Sequence, residues 1–246
     1  MRILVTGSKG QLGGFLTNFD SGLHEIIGSA RNLEVSERDS LVEIDILDRE
    51  QTTREIARIR PEIVINSAAL TNVDMCENNP ELAKLANSVA PGNIARACRE
   101  YDAKMIQIST DYVFSGENGM YNENSPTSPI QEYGKTKLRG EQKAIEILGS
   151  DVCVIRTSVV FDGKSKNFVK WILDSLRSGE EIRIVQDQWV SPTSTRYISD
   201  SIMDLISGGF SGVINVSSSP KISRLEMAVV IAEKLGLDRR QISPIS

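Results

Sequence analysis

The 246-residue chain has one histidine, three cysteines, no long apolar run and no surplus of positive charge. His24 stands beside the second expected strand and outside every motif, where it reads as a surface loop residue. A Ser-His-Asp hydrolase or a histidine-rich zinc site would need more than this one imidazole. Cys76, Cys98 and Cys153 are odd in number, widely spaced and without a Cys-x-x-Cys pair. They read as buried free thiols in a reducing compartment, so the expected location is cytoplasmic. No stretch approaches the ~18 apolar residues needed to cross a bilayer. The apolar run after Met1-Arg2 is far too short for a signal peptide, and none is expected. A net charge of −5 without a long basic cluster gives no electrostatic footprint for nucleic acid. No repeat or low-complexity tract occurs, and Ser217-Ser218-Ser219-Pro220 is a turn.

With 40% hydrophobic and 25% charged residues, the composition is that of an ordinary soluble globular protein. The length allows one large core, or one domain with a smaller lobe. Apolar runs and helical periodicities alternate along the chain, the pattern of a Rossmann-type doubly wound parallel α/β sheet. Strands are expected at 3–6, 25–30, 41–45, 63–66, 105–109 and 152–157, and helices at 11–20, 49–59, 80–101 and 132–148. Asp48 with Gln51 resembles a capping box and fixes the start of the second helix. After residue 157 the pieces shorten, so residues 1–157 are assigned to the dinucleotide-binding domain and 158–246 mainly to a smaller substrate-binding lobe, interleaved with the sheet and with an approximate boundary. Within that lobe 167–178 reads as a helix. Ser223 and Glu226 form a capping box before a last helix that runs to Leu235 and is stopped by Gly236.

Three segments carry the chemistry. Tyr133 and Lys137 lie four residues apart near the start of a long helix, so both project from one face. A cation beside a phenol lowers its pKa from about 10 toward the range of a general acid. Gly7, Gly10 and Gly13 follow a buried strand and open a helix, the geometry that receives a dinucleotide pyrophosphate. The spacing is Gly-x-x-Gly-x-x-Gly, unlike the Gly-x-Gly-x-x-Gly of the common dehydrogenases. Ser109 and Thr110 end another buried strand, at the sheet edge where ligands of open parallel sheets bind.

Gly7 to Gly13, Asn66 to Asp74, Ser109 to Phe114, Tyr133 to Glu141 and Gln186 to Thr193 together resemble the extended short-chain dehydrogenase/reductase family, most of all its dTDP-4-dehydrorhamnose reductase branch. The likeness runs from residue 1 to about residue 216. It implies an NAD(P)H-dependent oxidoreductase acting on a nucleotide-linked 4-keto sugar. Tyr133 would be the general acid, Lys137 would tune it and bind the nicotinamide ribose, and Thr110 would hydrogen-bond the substrate oxygen. The cofactor would contact Gly7, Gly10, Gln11, Leu12 and Gly13, the exit loop of Asn66, Ala68, Ala69 and Leu70, and Asp45 with Ile46 at adenine. Val159, Asn167, Gln188 and Thr193 would line the sugar-nucleotide side. Trp189 would either offer the sugar a flat apolar face or belong to the core.

Arg31 ends the second strand where an acid would select NAD, so NADPH is the expected cofactor, with NADH possible; Lys9 could approach the same 2′-phosphate. The branch usually has an aromatic residue at Val159. It also continues further at the carboxyl end, so this chain is expected to be short there. Phe15 replaces a glutamate that holds magnesium in some relatives, so no metal is expected. A homodimer is compatible with the resemblance. An epimerase or another keto-sugar reductase of the same fold remains an alternative, as does a non-catalytic partner like the regulatory subunit of methionine adenosyltransferase. The intact Thr110, Tyr133 and Lys137 argue against the last.

Overall fold

The computed structural model describes residues 1–19, 22–218 and 221–245. Through the first half the chain order is β1 (Arg2–Thr6), α1 (Gln11–Thr17), β2 (Glu25–Ala30), β3 (Leu41–Glu43), α2 (Arg49–Ile59), β4 (Ile63–Asn66), α3 (Val73–Asn78), α4 (Pro80–Lys84), α5 (Ala90–Glu100), β5 (Lys104–Thr110) and α6 (Glu132–Leu148). There follow β6 (Val152–Thr157), β7 (Val160–Phe161), α7 (Phe168–Arg177), β8 (Ile182–Val185), β9 (Trp189–Val190), β10 (Thr193–Ser194), α8 (Thr195–Ser207), β11 (Gly212–Asn215), β12 (Ile222–Ser223), α9 (Arg224–Lys234) and β13 (Ile242–Ile245).

Seven parallel strands form one sheet in the order β11-β6-β5-β4-β1-β2-β3, which is the doubly wound Rossmann arrangement. Its strands are apolar on both faces, because helices cover both. Leu4, Val64, Met105 and Val154 share a cluster with Ile56 and Ile59 of α2, Ile94 and Cys98 of α5, and Ala144 and Leu148 of α6. Their neighbours Ile3, Val5, Ile65, Ile106 and Ile155 point the other way and are equally buried. All three cysteines are free and buried. Burial pushes the Cys98 thiol up to about 12 and the Cys153 thiol up to about 11.

The chain divides into two compact units, Met1–Thr157 with Ile202–Asn215, and Ser158–Ser201 with Val216–Ser246. The second unit has its own core, with Ile172 and Leu176 of α7, Ile182 and Ile184 of β8, and Ala228 and Ala232 of α9. Residues 202–215, expected in the lobe, return to supply the edge strand β11.

Several expected elements differ in detail. The third strand stops at Glu43, because the Asp45 carboxylate accepts from Leu47 N–H at 3.0 Å and turns the chain. The single helix expected at 80–101 is α4, a π turn at Leu85–Val89, and α5. Helix α3 was not expected. The expected end of α1 at Asp20, part of the turn at Ser219-Pro220, and the last residue, Ser246, lie outside the described residues.

Candidate active site

The glycine turn is shaped by contacts that leave no room for side chains. Gly7 has φ +76°, and a Cβ there would lie 2.8 Å from the Ala68 backbone. A Cβ on Gly13 would run into the Gly7 carbonyl oxygen. Ser8 Oγ locks the turn to β2, accepting from Ser29 N–H at 3.0 Å and donating to the Val5 carbonyl at 3.1 Å. No side chain caps α1, whose N-cap is Gly10, and Leu12 and Gly13 are buried in its first turn. Gln11 Nε2 is a buried donor with no partner among the described residues. A close-packed glycine cradle, an uncapped helix start and an orphaned amide fit a dinucleotide pyrophosphate.

Beside this turn a buried polar chain crosses the carboxyl ends of the strands. Thr6 Oγ1 donates to Asn66 Oδ1 at 2.7 Å, and Asn66 Nδ2 donates to Gln107 Oε1 at 2.8 Å. Asn66 is fully buried, so it shapes the exit loop of β4 from beneath. From the far side the loop is held by Asn87, in the π turn. Its amide accepts from Leu70 N–H at 2.8 Å and donates to the Leu70 carbonyl at 3.0 Å and to Thr136 Oγ1 at 3.2 Å. The π turn is what aims this amide at the loop, in keeping with the frequent placement of such turns at functional sites. Asn93 of α5 does the same for the segment after β3, donating to the carbonyls of Ile46 and Leu47 at 3.1 and 3.2 Å.

Helix α6 reaches this edge closely because it carries glycines where backbone presses on it. A Cβ on Gly134 would strike the Tyr112 carbonyl oxygen, and one on Gly140 the Asn87 carbonyl oxygen. Tyr133 is buried with Cys76 and Ala83, and meets Tyr112 edge-on at 5.7 Å between ring centroids. Burial pushes the Tyr133 phenol well above the usual range, opposed by a hydrogen bond from the Thr110 hydroxyl. Thr110 Oγ1 also caps the short turn that follows β5, accepting from Tyr112 N–H at 3.2 Å. Lys137 is buried and donates to the Ile108 carbonyl at 2.6 Å; burial lowers its pKa to about 8, with Glu141 opposing the shift.

The expectation that Lys137 depresses the Tyr133 pKa is therefore corrected. Desolvation dominates the phenol, which stays neutral with its proton in place at neutral pH.

Helix α6 and β6 add a feature that sequence reading missed. Glu141 and Arg156 form a buried ion pair, with Arg156 Nη2 donating to Oε2 at 2.7 Å and Nε to both oxygens at 3.2 Å. Ser109 Oγ donates to the same carboxylate. The opposite face of the guanidinium lies over Phe114, 5.2 Å from its centroid, and Phe114 stacks on Tyr121 at 4.6 Å.

Thus the first unit brings together the glycine turn, residues 66–70, Thr110, Tyr133 and Lys137. Arg31 is exposed and has no ion-pair partner among the described residues. Lys9, expected beside the same phosphate, is paired instead with Glu37 at 2.8 Å.

The second unit treats its expected residues differently. Val159 has φ +32°, an outlier for a β-branched residue, and its carbonyl accepts from Thr193 N–H at 3.1 Å. Thr193 was expected to present a hydroxyl, yet it is fully buried. Its Oγ1 donates to the Ser191 carbonyl at 2.8 Å and accepts from Ser218 N–H at 3.3 Å. Asn167 caps α7, accepting from Lys170 N–H at 2.9 Å, and its amide donates to the Asp162 and Ser165 carbonyls. Gln188 is exposed, and its carbonyl accepts from Arg224 N–H at 2.9 Å. Trp189 is 52% exposed with Lys221 Nζ 4.8 Å above its ring, which rules out a core role.

Fold and site together define a dinucleotide-binding protein of the extended short-chain dehydrogenase/reductase class. The RmlD substrate binding domain family matches residues 1–246, and the chain belongs to that family. It is 33% identical to the probable low-salt glycan biosynthesis reductase Agl14 of Haloferax volcanii, over 97% of this chain and 81% of that protein. It is likewise 33% identical to a dTDP-4-dehydrorhamnose reductase of Mycolicibacterium smegmatis, over 99% of this chain and 72% of the relative. The solved structure of dTDP-4-dehydrorhamnose reductase from Bacillus anthracis in complex with NADP superposes with a TM-score of 0.90 at 32% identity, covering all of this chain and 84% of that one.

Proposed function

We propose that this chain is an NADPH-dependent reductase of a nucleotide-linked 4-keto sugar, converting dTDP-4-dehydro-L-rhamnose to dTDP-L-rhamnose in the cytoplasm. The observation that carries this reading is the buried Thr110, Tyr133 and Lys137 set on the sheet edge that also bears the glycine cradle. The named relatives support the same reaction class.

In this reading the Gly7–Gly13 turn and Ala68 to Leu70 hold the dinucleotide, with Arg31 at its 2′-phosphate. When bound, the reduced nicotinamide supplies the hydride that adds to C4 of the sugar. Tyr133 gives its phenolic proton to the keto oxygen, so the product is the alcohol and the residue is left as a phenolate. The Thr110 hydroxyl donates to the same oxygen and stabilises charge gathering on it. Lys137, one turn further along α6, would bind the nicotinamide ribose hydroxyls. Burial suits this work, since a neutral phenol is a proton donor and a dry site strengthens each charge interaction.

The test is NADPH oxidation with a panel of keto-sugar nucleotides, with the product identified. Oxidation that depends on dTDP-4-dehydro-L-rhamnose is expected. NADPH binding without turnover of any member would overturn the proposal, and interconversion of two sugars without net oxidation would favour an epimerase.

A further inference from the structure

We propose that Glu141 is a positioning residue for Lys137, a buried carboxylate that holds the lysine in its charged form with a strength set by Arg156. The inference rests on the reading of Lys137 as part of the reductase site. Lys137 and Glu141 stand one turn apart on the same face of α6, and both are at least 96% buried. Burying an ammonium disfavours its charge; a nearby opposite charge, or a hydrogen bond such as that to the Ile108 carbonyl, favours it. Among the described residues, Glu141 is the one charged group that acts on Lys137 in that sense.

The carboxylate is not free to give all its field to the lysine. Arg156, from β6, takes both its oxygens, and Ser109, from β5, donates to one of them. Arg156 pairs directly with the carboxylate, while Lys137 feels its charge from one turn away on α6. Burial thus lowers the Lys137 pKa to about 8, and Glu141 compensates only part of that shift.

Other titratable groups around α6 are placed otherwise. Asp111 and Tyr112, after β5, and Cys76 of α3 act on Tyr133. Glu77 accepts from Glu132 N–H at the helix start, and Glu81 and Lys84 of α4 pair with each other. Arg99 of α5 donates to the Ile147 carbonyl at the far end, and Cys98 and Cys153 face the sheet core. Arg96 and Glu100 of α5, Lys104 at the start of β5 and Asp151 before β6 exert no resolved effect on Lys137.

The experiment is a pH titration of the Lys137 ε-methylene by NMR, on protein carrying ε-13C-labelled lysine and assigned by Lys137→Arg. The unmodified protein should titrate near pH 8. Glu141→Gln should lower the midpoint by about one unit or more, the usual effect of losing a close opposite charge. Arg156→Met should raise it, because the released carboxylate then acts on Lys137 alone, and Arg156→Lys should restore the original midpoint. A merely structural role would not move the midpoint in opposite directions. Should Glu141→Gln fail to fold, Arg156→Met and Ser109→Ala still decide, since both should raise the midpoint. Unchanged midpoints, or shifts of one sign in Glu141→Gln and Arg156→Met, would overturn the proposal. Failure of the reductase assay with the NMR shifts present would sink the functional reading and leave only the coupling of Glu141 to Lys137 standing.

Discussion

Asn87→Ala removes the clamp between the π turn and the loop that follows β4, and its effect can be worked from three hydrogen bonds. The amide is 1% exposed and satisfies Leu70 N–H, the Leu70 carbonyl and Thr136 Oγ1. Thr136 keeps other partners, since its hydroxyl donates to the Glu132 and Tyr133 carbonyls. Leu70 N–H loses its side-chain partner, and the Leu70 carbonyl keeps only the weak donor Cys76 Sγ at 3.5 Å. Each part-buried group left unsatisfied costs about 1–2 kcal/mol, so the variant should lose about 2–4 kcal/mol. For a chain of this size that corresponds to a Tm drop of roughly 5–15 °C. Calorimetry on the purified variant measures it, and NADPH titration on the same sample should show weaker binding, because Ala68 to Leu70 lose their anchor. A Tm within about 2 °C of the parent, with unchanged NADPH affinity, would refute the role given to Asn87.

Four further outcomes are expected. Tyr133→Phe should bind NADPH normally yet lose about 10²–10⁴-fold in turnover, as measured by steady-state NADPH oxidation. Arg31→Ala should weaken NADPH about tenfold or more while leaving NADH unchanged, the loss expected for a charge-assisted hydrogen bond; equal losses for both would remove Arg31 from the 2′-phosphate. Lys137 has its folded pKa depressed to about 8 from 10.5, so the unfolded chain binds more protons between those values. Its contribution to stability is therefore complete above pH 10.5 and is lost as pH falls through 8. Tm measured against pH should accordingly rise more steeply from pH 8 to 10 in the parent than in Lys137→Met. Gly134→Ala forces a methyl onto the Tyr112 carbonyl, so α6 must shift at Tyr133, and turnover should fall more than NADPH affinity.

The legible parts of the chain were those where one local rule operates. β2, β4, β6 and α6 match their expected bounds because apolar runs, turn residues and helical periodicity agree there. The glycine turn was legible because Gly7 and Gly13 answer to backbone contacts that only glycine allows. What escaped was polar and long-range. Glu141 lies four residues after Lys137, which on a helix reads as a solvated pair; only the fold brings Arg156 and Ser109 to it. Asn87 and Asn93 sit inside a helical pattern, and no periodicity says that their amides reach the backbone of residues 46, 47 and 70. Thr193 misled for the converse reason. Pro192 suggested a presented hydroxyl, but a buried threonine satisfies itself on nearby backbone.

The return of residues 202–215 to the first unit bears on how this chain can be cut. Neither unit is a continuous stretch of sequence, since the chain passes from one to the other after residues 157, 201 and 215. A fragment ending at Thr157 would lack β11, and β6 would become an open edge with its ladder from Cys153 to Arg156 unpaired. Such an edge is a template for pairing between molecules. The fragment should therefore self-associate, and supplying residues 202–215 in the same chain, joined through a short linker, should return it to monodisperse behaviour. Modularity in this fold is a property of the folded surface and not of the gene's linear order.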